Sequence, residues 1–177
     1  MALQTKTVEG TTNHARWVWK MEIVENSINE DDLTSNVTVT SYLGRHPSYG
    51  SESFGGTAYV GITCGSETSD LTKTWNYGHT YLSGGQYYAI HSHTFTVKHN
   101  EDGTGSVYIE SWLTTSDFVP NSAKAETTFT LTTIEVGTVR IAVNGEYKRG
   151  TPYVGVNGQW RKAKAYIGVS NQWKKGK

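Results

Sequence analysis

The chain has little cysteine, proline or charge. Its 177 residues contain one cysteine, Cys64, which excludes an intramolecular disulfide and a zinc site built from cysteines. Only three prolines and 18% charged residues are present. The stretch 74–97 lacks acidic and basic residues, but its many Gly, Ser, Thr, Asn and His residues exclude a membrane span. The first residues form no apolar signal core, so we expect the protein to be made and assembled in a cytoplasm.

The abundant residues favour β-structure. Glycine occupies 19 positions, tyrosine 11 and tryptophan six. This composition is typical of strands joined by many tight turns. Through the first 138 residues, apolar and polar positions alternate with period 2, and no segment has a good helical period. The sequence therefore predicts an all-β protein.

Eight strands are predicted in this first part of the chain. They are 3–8, 15–24, 36–43, 57–64, 71–77, 87–98, 105–113 and 125–135. Turn-forming clusters separate them at 29–32, Gly55-Gly56, Gly84-Gly85, 100–105 and Pro120-Asn121. Eight short strands with frequent turns indicate a β-sandwich or jelly-roll-like domain.

The net charge of zero conceals two oppositely charged parts. Residues 1–138 contain seven Lys and Arg against fifteen Asp and Glu, a net charge of −8. Residues 139–177 contain nine Lys and Arg against one acid, Glu146, a net charge of +8. This shift predicts a domain boundary near Gly137, with a sandwich over 1–138 and a separate basic segment over 139–177.

The basic segment repeats with a period of 13. The aligned positions are Val143, Val156 and Val169; Tyr147, Trp160 and Trp173; and Lys148-Arg149, Arg161-Lys162 and Lys174-Lys175. Asn144-Gly145 and Asn157-Gly158 are preferred pairs for two-residue type I′ turns, and Ser170-Asn171 takes their place in the third copy. Each copy is predicted to be a short hairpin. Stacked copies would share a core of Val, Tyr and Trp and leave Lys and Arg on an exposed face.

Three interpretations of that basic face remain open. It is a solvated rim that prevents edge pairing, a docking surface for an acidic partner, or a binding surface for single-stranded nucleic acid. Nucleic acid is the least favoured of the three. The acidic partner would be the body of a neighbouring copy or an anionic cell-wall polymer. Candidate residues for assembly or for binding the anionic partner are Tyr147, Lys148, Trp160, Arg161, Trp173 and Lys174.

Alternation within strand 105–113 predicts an exposed aromatic surface. Val107, Ile109 and Leu113 share the inward phase, and the residues between them share the outward phase. Exposed aromatic rings beside carboxylate and hydroxyl groups suit sugar binding, because the rings stack on C–H faces while polar groups bind the hydroxyls. The alternative is cross-strand aromatic pairing that only stabilises the sheet. The candidate carbohydrate-binding residues are Tyr59, Trp75, Tyr108, Glu110 and Trp112.

Other chemistry has weaker support in the sequence. Phosphate loops and the Gly-x-Ser-x-Gly nucleophile motif are absent, and the inward phase of Cys64 argues against a reactive thiol, so no enzyme and no cofactor are predicted. His91 and His93, two positions apart on one strand, are a candidate metal pair, with hydrogen-bonded core or rim histidines as the alternative. The oxygen-rich segment 100–105 lacks EF-hand spacing and predicts a hairpin turn instead of a calcium loop.

Several of these segments resemble minor structural proteins of siphovirus tails. The resemblance covers most of the chain through short motifs, namely Val24-Glu25-Asn26-Ser27-Ile28 with Leu33 to Val39, the hairpin His99-Asn100-Glu101-Asp102-Gly103, and the closing strand Thr128 to Ile134. The Asn-Gly-x-Trp-Lys-Lys repeats are similar to C-terminal repeats of many Gram-positive prophage structural proteins. The matching positions are turn and strand residues, so no site residue carries over.

The resemblance implies a non-enzymatic virion protein of tail or fibre type, assembled in the bacterial cytoplasm among other virion proteins and binding a host surface glycan. Virion fibres are often homotrimers, so a homotrimer is expected. In some tail fibres, His-x-His pairs from three chains surround an axial metal, which is the setting in which His91 and His93 would bind one. The alternatives are a free-standing lectin or carbohydrate-binding module, and a capsid decoration or head fibre protein.

Overall fold

In the computed structural model, every regular element is a strand among the described residues, which are 2–30, 32–115, 120–134, 139–143, 146–150, 152–163, 166–169 and 172–175. At 77–80, 139–143, 146–150, 162, 166–169 and 172–175 the description covers the backbone alone. The predicted all-β class is confirmed. The predicted boundary near Gly137 lies outside the described residues.

Nine strands form two antiparallel sheets. They are β1 (Gln4–Glu9), β2 (Thr11–Thr12), β3 (Trp17–Asn29), β4 (Thr34–Arg45), β5 (Glu52–Cys64), β6 (Glu67–Leu82), β7 (Tyr87–Lys98), β8 (Ser106–Thr115) and β9 (Ser122–Thr130). The four-stranded sheet has the order β1-β3-β4-β7 and the five-stranded sheet the order β2-β9-β8-β5-β6. This is a β-sandwich, with β6 and β7 as the edge strands on one side.

A single apolar core lies between the sheets. Period-2 alternation in β3 buries Trp17, Trp19, Met21 and Ile23, as predicted, and β5 and β8 bury their alternate residues against them. Ser111 joins the two sheets in this core, because its hydroxyl lies 3.1 Å from Trp19 Nε1 and 2.6 Å from the Ser41 hydroxyl. Buried polar groups thus remain hydrogen-bonded where the sheets meet.

Two predictions about strand limits are wrong. Gly55-Gly56 is not a turn but lies inside β5, where the register with β6 shifts between Phe54 and Gly56 and Gly56 adopts a φ of 113°. The bulge uses the left-handed freedom of glycine within a strand. The last predicted strand, 125–135, ends earlier, because regular pairing of β9 stops at Thr130.

A buried carboxylate ties three elements of the sandwich together. Glu25 is fully buried on β3, and its Oε2 accepts bonds from the Thr132 amide (3.0 Å), the Thr132 hydroxyl (2.7 Å) and Gln4 Nε2 (2.7 Å). Its Oε1 accepts the Ser35 hydroxyl proton at 2.6 Å. Burial alone would raise the pKa of Glu25, but the hydrogen bonds from Ser35, Thr132 and Gln4 outweigh it and lower the pKa below 4.5.

The same network reaches a buried histidine. Ser35 donates its proton to Glu25, and His99 Nε2 lies 2.7 Å from the Ser35 hydroxyl oxygen. His99 Nδ1 lies 3.0 Å from the Gly103 carbonyl oxygen. Glu25, Ser35 and His99 thus link β3 and β4 to the 100–104 turn.

The 100–104 turn forms as predicted. Gly103 adopts a φ of 82°, and Asp102 Oδ1 accepts bonds from the Thr104 amide (2.9 Å) and hydroxyl (2.6 Å). The bond from the Thr104 hydroxyl, followed by the bond from its amide, contributes most to lowering the pKa of Asp102. The aspartate thus serves as a turn cap, in line with the hairpin interpretation.

The repeats form three separate two-stranded hairpins. Their strands are β10 (Val139–Val143) with β11 (Glu146–Gly150), β12 (Tyr153–Val156) with β13 (Gln159–Lys162), and β14 (Tyr166–Val169) with β15 (Gln172–Lys175). In the second hairpin, Asn157 (φ 50°) and Gly158 (φ 79°) both have positive φ, so the predicted type I′ turn is confirmed there. The other two predicted turns, 144–145 and 170–171, lie outside the described residues.

Candidate functional site

The outward face of the five-stranded sheet carries a cluster of aromatic and charged residues. The strand register places Gly61 of β5 between Asp70 of β6 and Trp112 of β8, and pairs Trp112 with Lys124 of β9. One position along the same face, Glu110 pairs with Glu126. We call this surface the aromatic platform. It consists of Tyr59, Gly61, Asp70, Tyr108, Glu110, Trp112, Lys124 and Glu126.

Trp112 lies flat on the sheet because its cross-strand neighbour is a glycine. A Cβ atom at Gly61 would lie 2.3 Å from Trp112 Cζ2 and 2.5 Å from Cε2, closer than any real contact. The Tyr59 ring packs beside the indole, with ring centroids 5.1 Å apart and planes inclined by 54°. Tyr59 and Tyr108 are each nearly half exposed, at 44% and 45%. The platform therefore offers ring faces to a ligand in solvent.

Charged groups surround the rings. Lys124 Nζ lies 2.9 Å from Glu110 Oε2 and 2.8 Å from Glu126 Oε2. The Tyr108 hydroxyl donates to the same two carboxylates, at 3.0 and 2.7 Å, and the Tyr59 hydroxyl donates to Asp70. Three carboxylates thus face one ammonium group, which leaves the platform net negative.

These contacts keep each group in its ordinary charge state. The hydrogen bond to Glu126, aided by Glu110, raises the pKa of Tyr108 to about 12, and the bond to Asp70 raises the pKa of Tyr59. Glu126 and then Glu110 raise the pKa of Lys124, while Lys124 lowers the pKa of Glu126. At neutral pH the two phenols are therefore neutral donors and Glu126 is an ionised acceptor, and both kinds of group can hydrogen-bond to hydroxyls.

A surface depression adjoins the platform at the β2–β9–β8 corner. It has a volume of about 420 Å³. Its lining residues are Thr11, Thr12, Asn13, Trp112, Leu113, Thr114, Ser122, Ala123 and Lys124. Trp112 and Lys124 belong to both surfaces, so a ligand lying on the indole reaches hydroxyl and amide groups in the depression.

Of the predicted carbohydrate-binding residues, four meet on the platform and one does not. Tyr59, Tyr108, Glu110 and Trp112 share the outward face. Trp75 is buried, at 6% exposure, and packs edge-on against Phe54 with centroids 5.6 Å apart. Its assignment to an exposed surface is wrong, because Trp75 continues the inward phase of Leu71 along β6 and pairs with Gly56, which continues the buried phase of Ala58 on β5.

Sequence reasoning missed four members of the platform: Gly61, Asp70, Lys124 and Glu126. Alternation did contain a signal for two of them, since Lys124 and Glu126 alternate with Ala123 and Ala125, which are buried. The signal shows only that they face outward. Their position beside Trp112 depends on the β8–β9 register, which no local pattern specifies.

The two candidate metal ligands occupy the core-facing side of edge strand β7. His91 is half buried, and its Nε2 lies 3.0 Å from the Ser69 hydroxyl and 3.2 Å from the Ser69 carbonyl. Burial lowers its pKa. His93 is exposed and packs edge-on against Phe95, with centroids 4.7 Å apart. No group of three His, Cys, Asp or Glu residues fit to bind a metal occurs in the described part of the chain.

Cys64 is buried at the end of β5, at 5% exposure. Burial, and then the nearby Glu67, raises the pKa of its thiol to about 11. Because the ordinary pKa of a thiol is 9.0, the thiolate fraction at pH 8 falls about 100-fold. We expect a disulfide reagent to label native protein at least ~100-fold more slowly than protein in guanidinium. Equal rates in the two states, followed spectrophotometrically, would contradict the burial of this thiol.

The second hairpin has basic residues on both faces. Paired residues share a face, so Tyr153, Gly155, Trp160 and Lys162 lie on one side and Val154, Val156 and Arg161 on the other. Val154 and Val156 therefore do not share a face with Trp160 in this copy, and the stacking of copies into a common core stays a prediction. The side chains of the other candidates, Tyr147, Lys148, Trp173 and Lys174, lie outside the described residues.

Comparison with models of known protein families and with curated proteins finds no match. Among the described residues, no helix is long and apolar enough to cross a membrane. The aromatic platform and the hairpins are therefore the features of the molecule that bear on its function.

Proposed function

We propose that this protein binds carbohydrate through the aromatic platform. The observation that carries the proposal is the indole of Trp112, which lies flat on Gly61 and is bordered by Tyr59, Glu110 and Lys124. A flat ring supports the C–H face of a pyranose, and ionised carboxylates accept hydrogen bonds from its hydroxyls. Ring, donors and acceptors thus converge on one exposed surface.

The charge of the platform favours neutral sugars or sugars with a free ammonium group. Asp70, Glu110 and Glu126 oppose a single cation, Lys124, whose ammonium is already paired with two of them. A phosphate or carboxylate on a sugar would meet uncompensated negative charge. The platform ligand is therefore a neutral or amino-sugar polysaccharide.

The resemblance to siphovirus tail proteins supports a place for this activity in a virion component of tail or fibre type, attaching to a host surface. A free-standing lectin is the second candidate. One observation favours it: the apolar core is complete within one chain, so the body needs no partner to bury it. Light scattering on the full chain separates the two. A mass near three times 19.6 kDa supports a trimeric fibre, and a monomer supports the lectin.

Carbohydrate binding itself is tested by calorimetry on the full chain with soluble polysaccharides. Neutral and amino-sugar polymers are compared with hyaluronan at about 0.5 M NaCl, where long-range attraction to the basic segment is screened. We expect binding to at least one neutral or amino-sugar polymer and a loss of about tenfold in Tyr59→Ala, because one stacking ring is removed.

Tyr81→Ala is the matched control. Tyr81 is also an exposed tyrosine, at 64%, but it pairs with Ser53, six residues along β5 from Tyr59 and so about 20 Å away. Its removal should leave affinity unchanged. Equal losses in both variants, or no binding across the panel, would refute the platform as a sugar site.

A further inference from the structure

The second hairpin exposes apolar side chains on both faces. Trp160 is 78% exposed and Tyr153 55% on one face, and Val154 and Val156 are exposed on the other. A two-stranded ribbon has no core of its own, and so large an exposed aromatic surface marks an interaction site. The hairpin is therefore a surface that a partner covers.

The backbone register repeats the same pairing in all three hairpins. A small residue stands opposite each aromatic one: Ala142 opposite Tyr147, Gly155 opposite Trp160, and Gly168 opposite Trp173. In the second hairpin a Cβ at Gly155 would lie 4.0 Å from Trp160 Cζ3, so the ring passes over the glycine and keeps its other face open. The three copies thus repeat one binding unit every 13 residues.

A cation shares the face of each aromatic position. Arg149, Lys162 and Lys175 stand two residues after Tyr147, Trp160 and Trp173 and pair in register with Arg140, Tyr153 and Tyr166. Lys148, Arg161 and Lys174, one residue after the aromatic position, stand on the opposite face. Nine basic residues against one acid make the whole segment +8. Mutual repulsion opposes the stacking of such segments from several chains, and attraction favours a polyanion.

The acidic body of a second copy is a poorer partner than an external polymer. Several of its carboxylates are already engaged, since Glu25 is buried and Glu52 pairs with Arg45 at 2.6 Å. The acidic residues of the body also have no regular spacing in the sequence, whereas the aromatic and basic residues of the three hairpins repeat every 13 residues. A regular array of ring and cation matches a ligand that is itself a repeating polymer.

From these observations we infer that the three hairpins form a multivalent site for a linear anionic polysaccharide, with one ring and one cation contributed by each copy. This site is distinct from the aromatic platform and does not depend on the proposed function of the platform. Linking three weak units in one chain raises affinity by avidity, by about 10²–10⁴-fold over a single unit.

The inference is tested with the full chain and hyaluronan, a linear anionic polysaccharide, with uncharged dextran as the comparison polymer. We expect binding to hyaluronan that weakens steeply between about 50 and 500 mM NaCl, whereas any binding of dextran by the platform should be equal in the wild type and the hairpin variants. The double variant Trp160→Ala/Lys162→Gln removes one unit and should lose hyaluronan affinity about tenfold. Adding the equivalent changes at Tyr147, Arg149, Trp173 and Lys175 should lose about 10²–10⁴-fold in total.

Lys98→Gln is the control, because it removes one exposed cation from the body and lowers the net charge as Lys162→Gln does. It should bind like the wild type. Three outcomes would overturn the inference. They are equal losses in Lys98→Gln, tighter binding to a single-stranded oligonucleotide than to the polyanion at the same salt, and a light-scattering oligomer that dissociates in the tail variants.

Discussion

Glu25→Ala should lower the free energy of unfolding by about 3–5 kcal/mol. The substitution removes the acceptor of four hydrogen bonds, from Ser35, Gln4 and the amide and hydroxyl of Thr132. It also leaves the buried Ser35 hydroxyl without its acceptor. Urea unfolding followed by tryptophan fluorescence measures the change. A loss below about 1 kcal/mol would mean that the network contributes little.

Glu25→Gln is the matched variant, because it keeps the shape of the side chain. Its carbonyl still accepts from Thr132 and Gln4, and its amide donates to the Ser35 hydroxyl oxygen, whose own proton then turns to His99 Nε2. We expect a much smaller loss than in Glu25→Ala. Similar losses in both would show that packing around Glu25, and not its hydrogen bonds, matters.

The wild type and Glu25→Gln should also differ in how their free energy of unfolding depends on pH. The fold lowers the pKa of Glu25 below 4.5, so the carboxylate stabilises the folded state above pH 4.5. That contribution is lost as the pH falls from 4.5 through the lower, folded-state pKa. Wild-type stability should therefore decrease across this window more steeply than that of Glu25→Gln. Parallel curves would exclude a role for Glu25 in acid sensitivity.

Trp112→Ala should weaken sugar binding by about 30-fold or more, the effect expected of an aromatic residue at the centre of a binding surface. Both the stacking surface and the wall of the adjoining depression are lost. Calorimetry with the best polymer of the panel measures the change, and thermal unfolding verifies that the sandwich is intact. Wild-type affinity in this variant would exclude the platform.

Gly61→Ala tests whether sugar binding requires the position of the Trp112 ring on the sheet or only its presence. The added Cβ would overlap Trp112 Cζ2 and Cε2, so the indole must leave the sheet while remaining in the protein. We expect a partial loss of binding with an altered near-ultraviolet circular dichroism signal from Trp112. Unchanged spectra and affinity would mean that the ring does not need to lie flat.

Alternation of apolar and polar residues along each strand predicts which residues face outward, but not which of them meet on the platform. The outward phase of Tyr108, Glu110 and Trp112 follows from alternation with buried Val107 and Ile109, and it is confirmed. Trp75 was misassigned although alternation points it inward, because it follows Leu71 at even spacing along β6 and pairs with Gly56, which continues the buried phase of Ala58 on β5. Side chains at even spacing on a strand share one face of the sheet.

The environment of the buried Glu25 was also not predictable from neighbouring residues. It continues the inward phase of Trp19, Met21 and Ile23 along β3, so alternation alone places a carboxylate in the core. What makes this burial tolerable is the arrival of Ser35 and Thr132, ten and 107 positions away. A buried charge needs partners, and distant partners are not encoded beside it.

The sequence by itself determined the all-β class, the inward and outward faces of most strands, and the type I′ hairpin at Asn157-Gly158, because each depends on neighbouring residues alone. Only the tertiary structure decided that Gly61, Asp70 and Lys124 surround Trp112. Strand order and register depend on how two sheets bury a common core, and that is a property of the whole chain.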